Sequence, residues 1–152
     1  RYFDNREHRF DITLPKDNDP ILAVCPQCNS KALVLPNTKD TVKCVCTKCS
    51  FNKTKSNKSR SLGWHMDIPH DGYFGFDLWL QTYCCGHSLY AFTIRHLELL
   101  EKYIQADLRE RRPSENGWWC NSSVVAKLPK WIKSHKNREQ LLKAIEKLRA
   151  KL

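Results

Sequence analysis

Cys25-Pro-Gln-Cys28 and Cys46-Thr-Lys-Cys49 are two Cys-x-x-Cys pairs with seventeen residues between them. Each pair can present two thiolates from a single tight turn, and zinc takes four such ligands at tetrahedral corners. Between the pairs, Ala32-Leu-Val-Leu35 and Thr41-Val-Lys-Cys-Val45 are short β-prone runs, with turn-forming Pro36-Asn37-Thr38 between them. The spacing therefore predicts an antiparallel hairpin that brings two knuckles face to face. Cys25, Cys28, Cys46 and Cys49 are its expected Zn2+ ligands. Disulfides and buried free thiols are the competing readings; two matched pairs outside a βαβ setting favour the metal. Cys44 adds a third thiol beside the second knuckle. The two-residue gap selects Cys46 and Cys49, and Cys44 is expected to alternate off them in the strand and join the core.

The paired knuckles on β-prone strands resemble the zinc-ribbon superfamily found in transcription factors, polymerase subunits and many small bacterial proteins. The remainder, Phe76-Asp-Leu-Trp-Leu80 to His96-Leu-Glu-Leu-Leu100 and then Leu128-Pro-Lys-Trp-Ile132, looks like bacterial proteins described only as zinc-ribbon-containing. The motif spans about a sixth of the chain. What the resemblance implies is a metal site and frequent contact with nucleic acid or protein, but no reaction.

A hydrophobic fraction of 41% with sixteen aromatic residues is enough for a packed core within 152 residues. The ribbon is too small to fold on apolar burial alone, so its metal would supply the missing energy. No apolar run reaches the ~18 residues a membrane span needs, and Arg1–Phe10 lacks the apolar stretch of an export signal. A reducing, cytoplasmic setting is the expectation. The net charge of +10 is unevenly spread. Residues 1–40 are balanced, 41–66 carry +6 with no acid, 67–116 carry −3 and 117–152 carry +7. Such clustering favours an acidic partner over mere solubility.

Residues 1–20 alternate polar and apolar types (Phe10, Ile12, Leu14) and read as an arm or strand; 21–51 form the ribbon. Residues 52–63 read as a solvated basic linker, with Lys53, Lys55, Lys58 and Arg60 as phosphate contacts or as ordinary polar surface. In 64–113, Phe74, Phe76, Leu78, Leu80, Thr82 and Cys84 alternate over one long strand. A turn at Gly86-His87 returns it through Leu89-Tyr-Ala-Phe92. Ile94, Leu97, Leu100, Ile104 and Leu108 then mark an amphipathic helix ending in Arg109-Glu-Arg-Arg112 before Pro113. The fold class is α+β: an N-terminal zinc β-ribbon, a β-hairpin with helix, and a basic helical segment over 114–152.

In that last segment, Trp118 and Trp119 read as core plugs or base-stacking rings, and Ser122 or Ser123 can cap Val124–Leu128. Pro129 suits the first turn of a short helix with Trp131 and Ile132, and Asn137-Arg-Glu-Gln140 resembles a capping box. Lys127, Lys130, Lys133 and Lys136 recur every three residues, followed by Arg138, and form the second expected nucleic-acid surface. Two short helices with a basic second one resemble a helix-turn-helix, without distinctive turn chemistry. Cys84, Cys85 and His87, with distant Cys120, are a second candidate metal set. Adjacent strand residues point to opposite faces, which favours core cysteines instead.

A Cys85–His96 or Cys85–His87 nucleophilic pair lacks any orienting carboxylate. Asp67, His70, Asp71 and Asp77 follow no ligand spacing, and Asp71-Gly72 reads as a turn. The expected function is a zinc-stabilised, DNA- or RNA-binding protein rather than an enzyme. A protein-interaction module of immunity or antitoxin type, covering an acidic protein surface, is the alternative. A nuclease or other hydrolase ranks below both.

Overall fold

The computed structural model describes residues 2–4, 13–59, 69–106, 109–111 and 128–152. In chain order the elements are β1 (Tyr2–Asp4), β2 (Ile21–Val24), β3 (Lys31–Thr38), β4 (Thr41–Cys46), β5 (Asn52–Ser56), β6 (Leu80–Cys84), β7 (His87–Ala91), α1 (Ile94–Gln105), β8 (Arg109–Arg111), α2 (Lys130–Lys133) and α3 (Arg138–Arg149). The chain is α+β, as the sequence predicts. A four-stranded antiparallel sheet runs β2-β3-β4-β5, β6 pairs with β7, and β1 pairs with β8 in parallel.

Alternation builds the larger sheet. Residues directly opposite in an antiparallel pair share a face. The registers Ile21↔Val34, Ala23↔Ala32, Val34↔Cys44 and Ala32↔Cys46 therefore collect small and branched side chains on one side. That side is buried against Tyr73 and Leu78 from the loop before β6. Cys44 is core, as expected, but it shares the face of Cys46 instead of alternating away from it. What separates the two thiols is position: Cys46 ends the strand where the chain turns into the knuckle.

The hairpin turn lies later than the sequence suggests. β3 continues through Pro36-Asn37-Thr38 with a register irregularity between Pro36 and Thr38, and the chain reverses at Lys39-Asp40. A bulge tolerates a residue that cannot donate to the ladder. Thr38 and Thr41 hydroxyls, 2.6 Å apart, close the mouth. Asn57 ties the turn from outside, its amide N–H reaching Asp40 O (2.9 Å) and its Nδ2 reaching Lys39 O (2.9 Å).

Two further stretches depart from the expected layout. Residues 52–56, expected within a linker, are strand β5, paired to β4 while all five side chains stay exposed. Pairing needs backbone groups, not apolar side chains, and β4 offers an open edge. Conversely, the long strand expected from Phe74 is a strand only from Leu80. Upstream, the buried Asp71 carboxylate accepts from the amides of Tyr73 (2.9 Å), Phe74 (2.7 Å) and Phe76 (2.8 Å), curling the chain. Phe74 and Phe76 still cover apolar surface, stacked at 5.5 Å, which is why their spacing mimics a strand.

The β6–β7 hairpin reverses at Cys85-Gly86, one residue earlier than expected, with φ of 54° and 81°. Two positive φ values define the tight turn whose twist suits a hairpin, and Gly86 adopts its share without strain. Thr93 caps α1, its Oγ1 accepting from His96 N–H (3.1 Å). The helix stops at Gln105 rather than reaching Arg112, because Arg109–Arg111 instead pair with β1.

Leu97, Leu100 and Ile104 of α1 meet Leu141, Ile145 and Leu148 of α3 in the second core. Asn137 forms no capping box: it is itself helical, and its Nδ2 donates to Trp131 O (2.9 Å). A 3-10 turn over His135–Asn137 feeds α3 directly. Arg149 of α3 pairs with Glu101 of α1, its Nε 2.7 Å from Oε2. Among the described residues, no helix is long and apolar enough to cross a membrane.

Candidate metal centre

Each knuckle is a turn held by its own backbone. After β2, Cys25 N–H donates to Ser30 O (2.8 Å) and Asn29 N–H to Cys25 O (2.9 Å). Asn29 takes the left-handed conformation (φ 61°), which its short polar side chain tolerates. At the end of β4, the amides of Lys48 and Cys49 both point at Cys46 Sγ (3.3 Å each). Cys46 N–H donates to Phe51 O (3.0 Å). The Thr47 hydroxyl and amide grip Lys31 O (2.7 and 3.2 Å), fixing this knuckle to the start of β3. Because Ala32 pairs with Cys46, both knuckles fall at one end of the sheet.

The four sulfurs of Cys25, Cys28, Cys46 and Cys49 all lie within 4.8 Å of one another. Cys25 Sγ is 3.7 Å from Cys49 Sγ, and Cys28 Sγ is 3.4 Å from Cys46 Sγ. A tetrahedron with metal–sulfur bonds of about 2.3 Å has edges of about 3.8 Å, so the cluster has the size of a four-thiolate site. Two of the cysteines are buried and two are half-buried. Such a group can hold a metal ion.

The electrostatics fit the same conclusion. The Ser30 amide, then its hydroxyl, pulls the Cys28 thiol down to about 6. The amides of Cys49 and Lys48 lower Cys46. Cys49 is pulled down by the Phe51 amide, yet burial and the sulfurs of Cys46, Cys28 and Cys25 outweigh it and push the thiol up to about 12. Backbone donors thus favour thiolate at one position of each knuckle, while crowding of like charge resists it at another. A cation at the centroid reverses that crowding. Cys44 lies outside this group, and burial, reinforced by the Asp71 charge, pushes its thiol up to about 12.

Among the described residues no other such group of His, Cys, Asp and Glu occurs. Cys84 and Cys85 sulfurs sit 3.3 Å apart at the hairpin turn, and Cys85 donates to Gln140 Oε1 (3.1 Å). His87 stacks on Trp131, centroids 4.8 Å apart, while Cys120 lies outside the described residues. Asp71 is occupied by backbone amides, so its role is to shape the loop.

The basic residues divide. Lys53, Lys55 and Lys58 lie on or just after the exposed edge strand, and Lys55 Nζ donates to Tyr73 O (2.8 Å). Lys130 and Lys136 are exposed, Lys133 and Arg138 half-buried, and Arg138 donates to Gln105 O. Arg60, Lys127, Asp67, Trp118, Trp119 and the 122–127 stretch lie outside the described residues.

One polar group escapes the sequence reading, which treats it only as a partner for Cys85. His96 is 2% exposed on the core face of α1, and burial holds its imidazole down to about 4. The available signal is its place in the apolar stripe of an amphipathic helix. The chain matches none of the protein-family models, curated proteins or solved structures with which it was compared.

Proposed function

We propose that this is a zinc-stabilised protein that binds nucleic acid through phosphate contacts. Cys25, Cys28, Cys46 and Cys49 hold Zn2+, because four soft thiolates in a closed tetrahedral set suit a structural zinc. The observation that carries the binding reading is the exposed edge strand β5. It lies within a stretch, 41–66, with six basic residues and no acid, and Lys53 and Lys58 are both exposed there. Lys130 and Lys136, also exposed, add positive charge on the helical side. Lysines of this kind neutralise phosphates and do not read bases.

The test is a fluorescence-anisotropy titration of the zinc-loaded protein with a single-stranded and a duplex 20-mer. With about four phosphate contacts, raising salt from 50 to 200 mM weakens single-strand binding about 50-fold and duplex binding about 150-fold. Absence of binding at 50 mM salt rejects the reading. The open backbone edge of β5 favours a second reading, strand addition by a protein partner. That interface would hold its affinity across the same salt range.

A further inference from the structure

Between β7, α1 and α2 lies a half-open cleft of about 130 Å³ that the metal centre does not touch. Leu100 and Ile132 supply apolar lining, and Tyr90, Trp131 and His87 supply aromatic surface. The remaining polar group of interest is His96. Phe92 N–H donates to its Nδ1 (3.1 Å), so the neutral ring carries its proton on Nε2. Among the described residues nothing bonds that Nε2, although the ring is 2% exposed. A buried donor without an acceptor costs stability, which a ligand bringing an acceptor would recover.

The chemistry of the lining selects the ligand. A neutral donor among apolar walls suits a flat, neutral ring with an acceptor edge, and does not suit an anion. An enclosed cavity of similar size, about 150 Å³, accepts a benzene ring. The helix that carries Trp131, by contrast, is basic. Trp131 sits in α2 between Lys130 and Lys133, Lys136 follows, and the sequence from 117 to 138 contains no acid. We propose that this cleft receives one unstacked base of a single-stranded nucleic acid. The base packs against the Trp131–His87 stack, His96 Nε2–H donates to it, and the exposed Lys130 meets a flanking phosphate. The inference rests on the nucleic-acid reading for its phosphate contacts, but the base site itself needs no phosphate.

Two probes separate those parts. Uridine, which has no phosphate, is titrated into the zinc-loaded protein while the His96 imidazole 15N resonances are followed. A 12-mer of oligouridylate and an abasic 12-mer of the same length are then compared by anisotropy. The expected results are a uridine-dependent shift at His96 Nε2 and about ten-fold weaker binding of the abasic strand. Trp131→Ala should weaken the intact 12-mer about ten-fold and the abasic strand little, whereas Trp131→Phe, which keeps a stacking ring, should stay within about three-fold of wild type. Unmoved His96 resonances together with equal binding of both 12-mers overturn the base site and leave phosphate contact standing. A shift with uridine but no binding of either 12-mer supports the base site and rejects the phosphate reading.

Discussion

Asp71→Ala removes the group that shapes the cover of the four-stranded sheet's core. The carboxylate is fully buried and accepts three amide protons, from Tyr73, Phe74 and Phe76, at 2.7–2.9 Å. Hydrogen bonds to a charged acceptor contribute roughly 1.5–3 kcal/mol each. Three do not simply add, because the loop relaxes and water reaches some of the freed amides. The expected loss is therefore about 3–5 kcal/mol. Asp71→Asn keeps the shape and an Oδ1 to serve Tyr73 and Phe74. The new amide nitrogen, however, confronts the Phe76 N–H where Oδ2 stood, for a loss of about 1–3 kcal/mol. Urea unfolding of the zinc-loaded protein, followed by circular dichroism at pH 7, measures both. Disordering this loop also frees Lys55 from Tyr73 O. Asp71→Ala within about 1 kcal/mol of wild type, or Asp71→Asn more damaging than Asp71→Ala, would refute the reasoning.

Three other outcomes are expected. Cys28→Ser reduces zinc from one ion per chain to none, whereas Cys44→Ala, outside the sulfur cluster, leaves it at one; elemental analysis of the purified proteins decides. Lys53→Glu with Lys58→Glu lowers affinity for generic strands and flattens the salt slope by about 1.4–1.8 for two lost contacts, with the melting temperature little changed. For His96, the folded ring titrates near 4 against 6.5 when exposed, so the unfolded chain binds more protons between those values. Its contribution is intact above pH 6.5 and is lost as pH falls towards 4, about 3 kcal/mol in all. His96→Gln should remove that slope when wild type and variant are compared at each pH.

How far the sequence can be read depends on whether a signal is local. The four cysteines are adjacent within each knuckle, and their grouping follows from two turns and one hairpin. The stripes of α1 and α3 are equally legible, because Leu97, Leu100 and Ile104, like Leu141, Ile145 and Leu148, recur at the helical period. β5 is hidden because a strand of Asn, Lys, Thr, Lys and Ser buries no side chain; only the open edge of β4 reveals it. The loop before β6 deceives in the opposite sense. Phe74, Phe76 and Leu78 have a strand's period, but Asp71 draws the amides of this loop to its carboxylate instead of a ladder. The cleft at His96 joins β7 and α1, neighbours in sequence, to the distant α2, so no short window of residues contains it.

β2 links the four-cysteine end of the sheet to the rest of the fold. Its four residues serve two cores at once: Ile21 and Ala23 face the ribbon core, while Leu22 is buried among the helices. Its backbone is bound on both sides of that division. Leu22 N–H donates to Phe92 O (2.9 Å), Trp79 N–H donates to Leu22 O (3.0 Å), and Val24 N–H donates to Asp77 O (2.8 Å). The next residue is Cys25. A cation that fixes Cys25 therefore fixes the end of a strand whose other bonds run to Phe92, and Phe92 N–H is the donor that sets the His96 tautomer. The path from sulfur to imidazole is short: the backbone of β2, one backbone hydrogen bond from Leu22 N–H to Phe92 O, and one from Phe92 N–H to the imidazole Nδ1. A metal ion at the four sulfurs and the base site proposed above would thus lie at the two ends of a run of contacts through one four-residue strand.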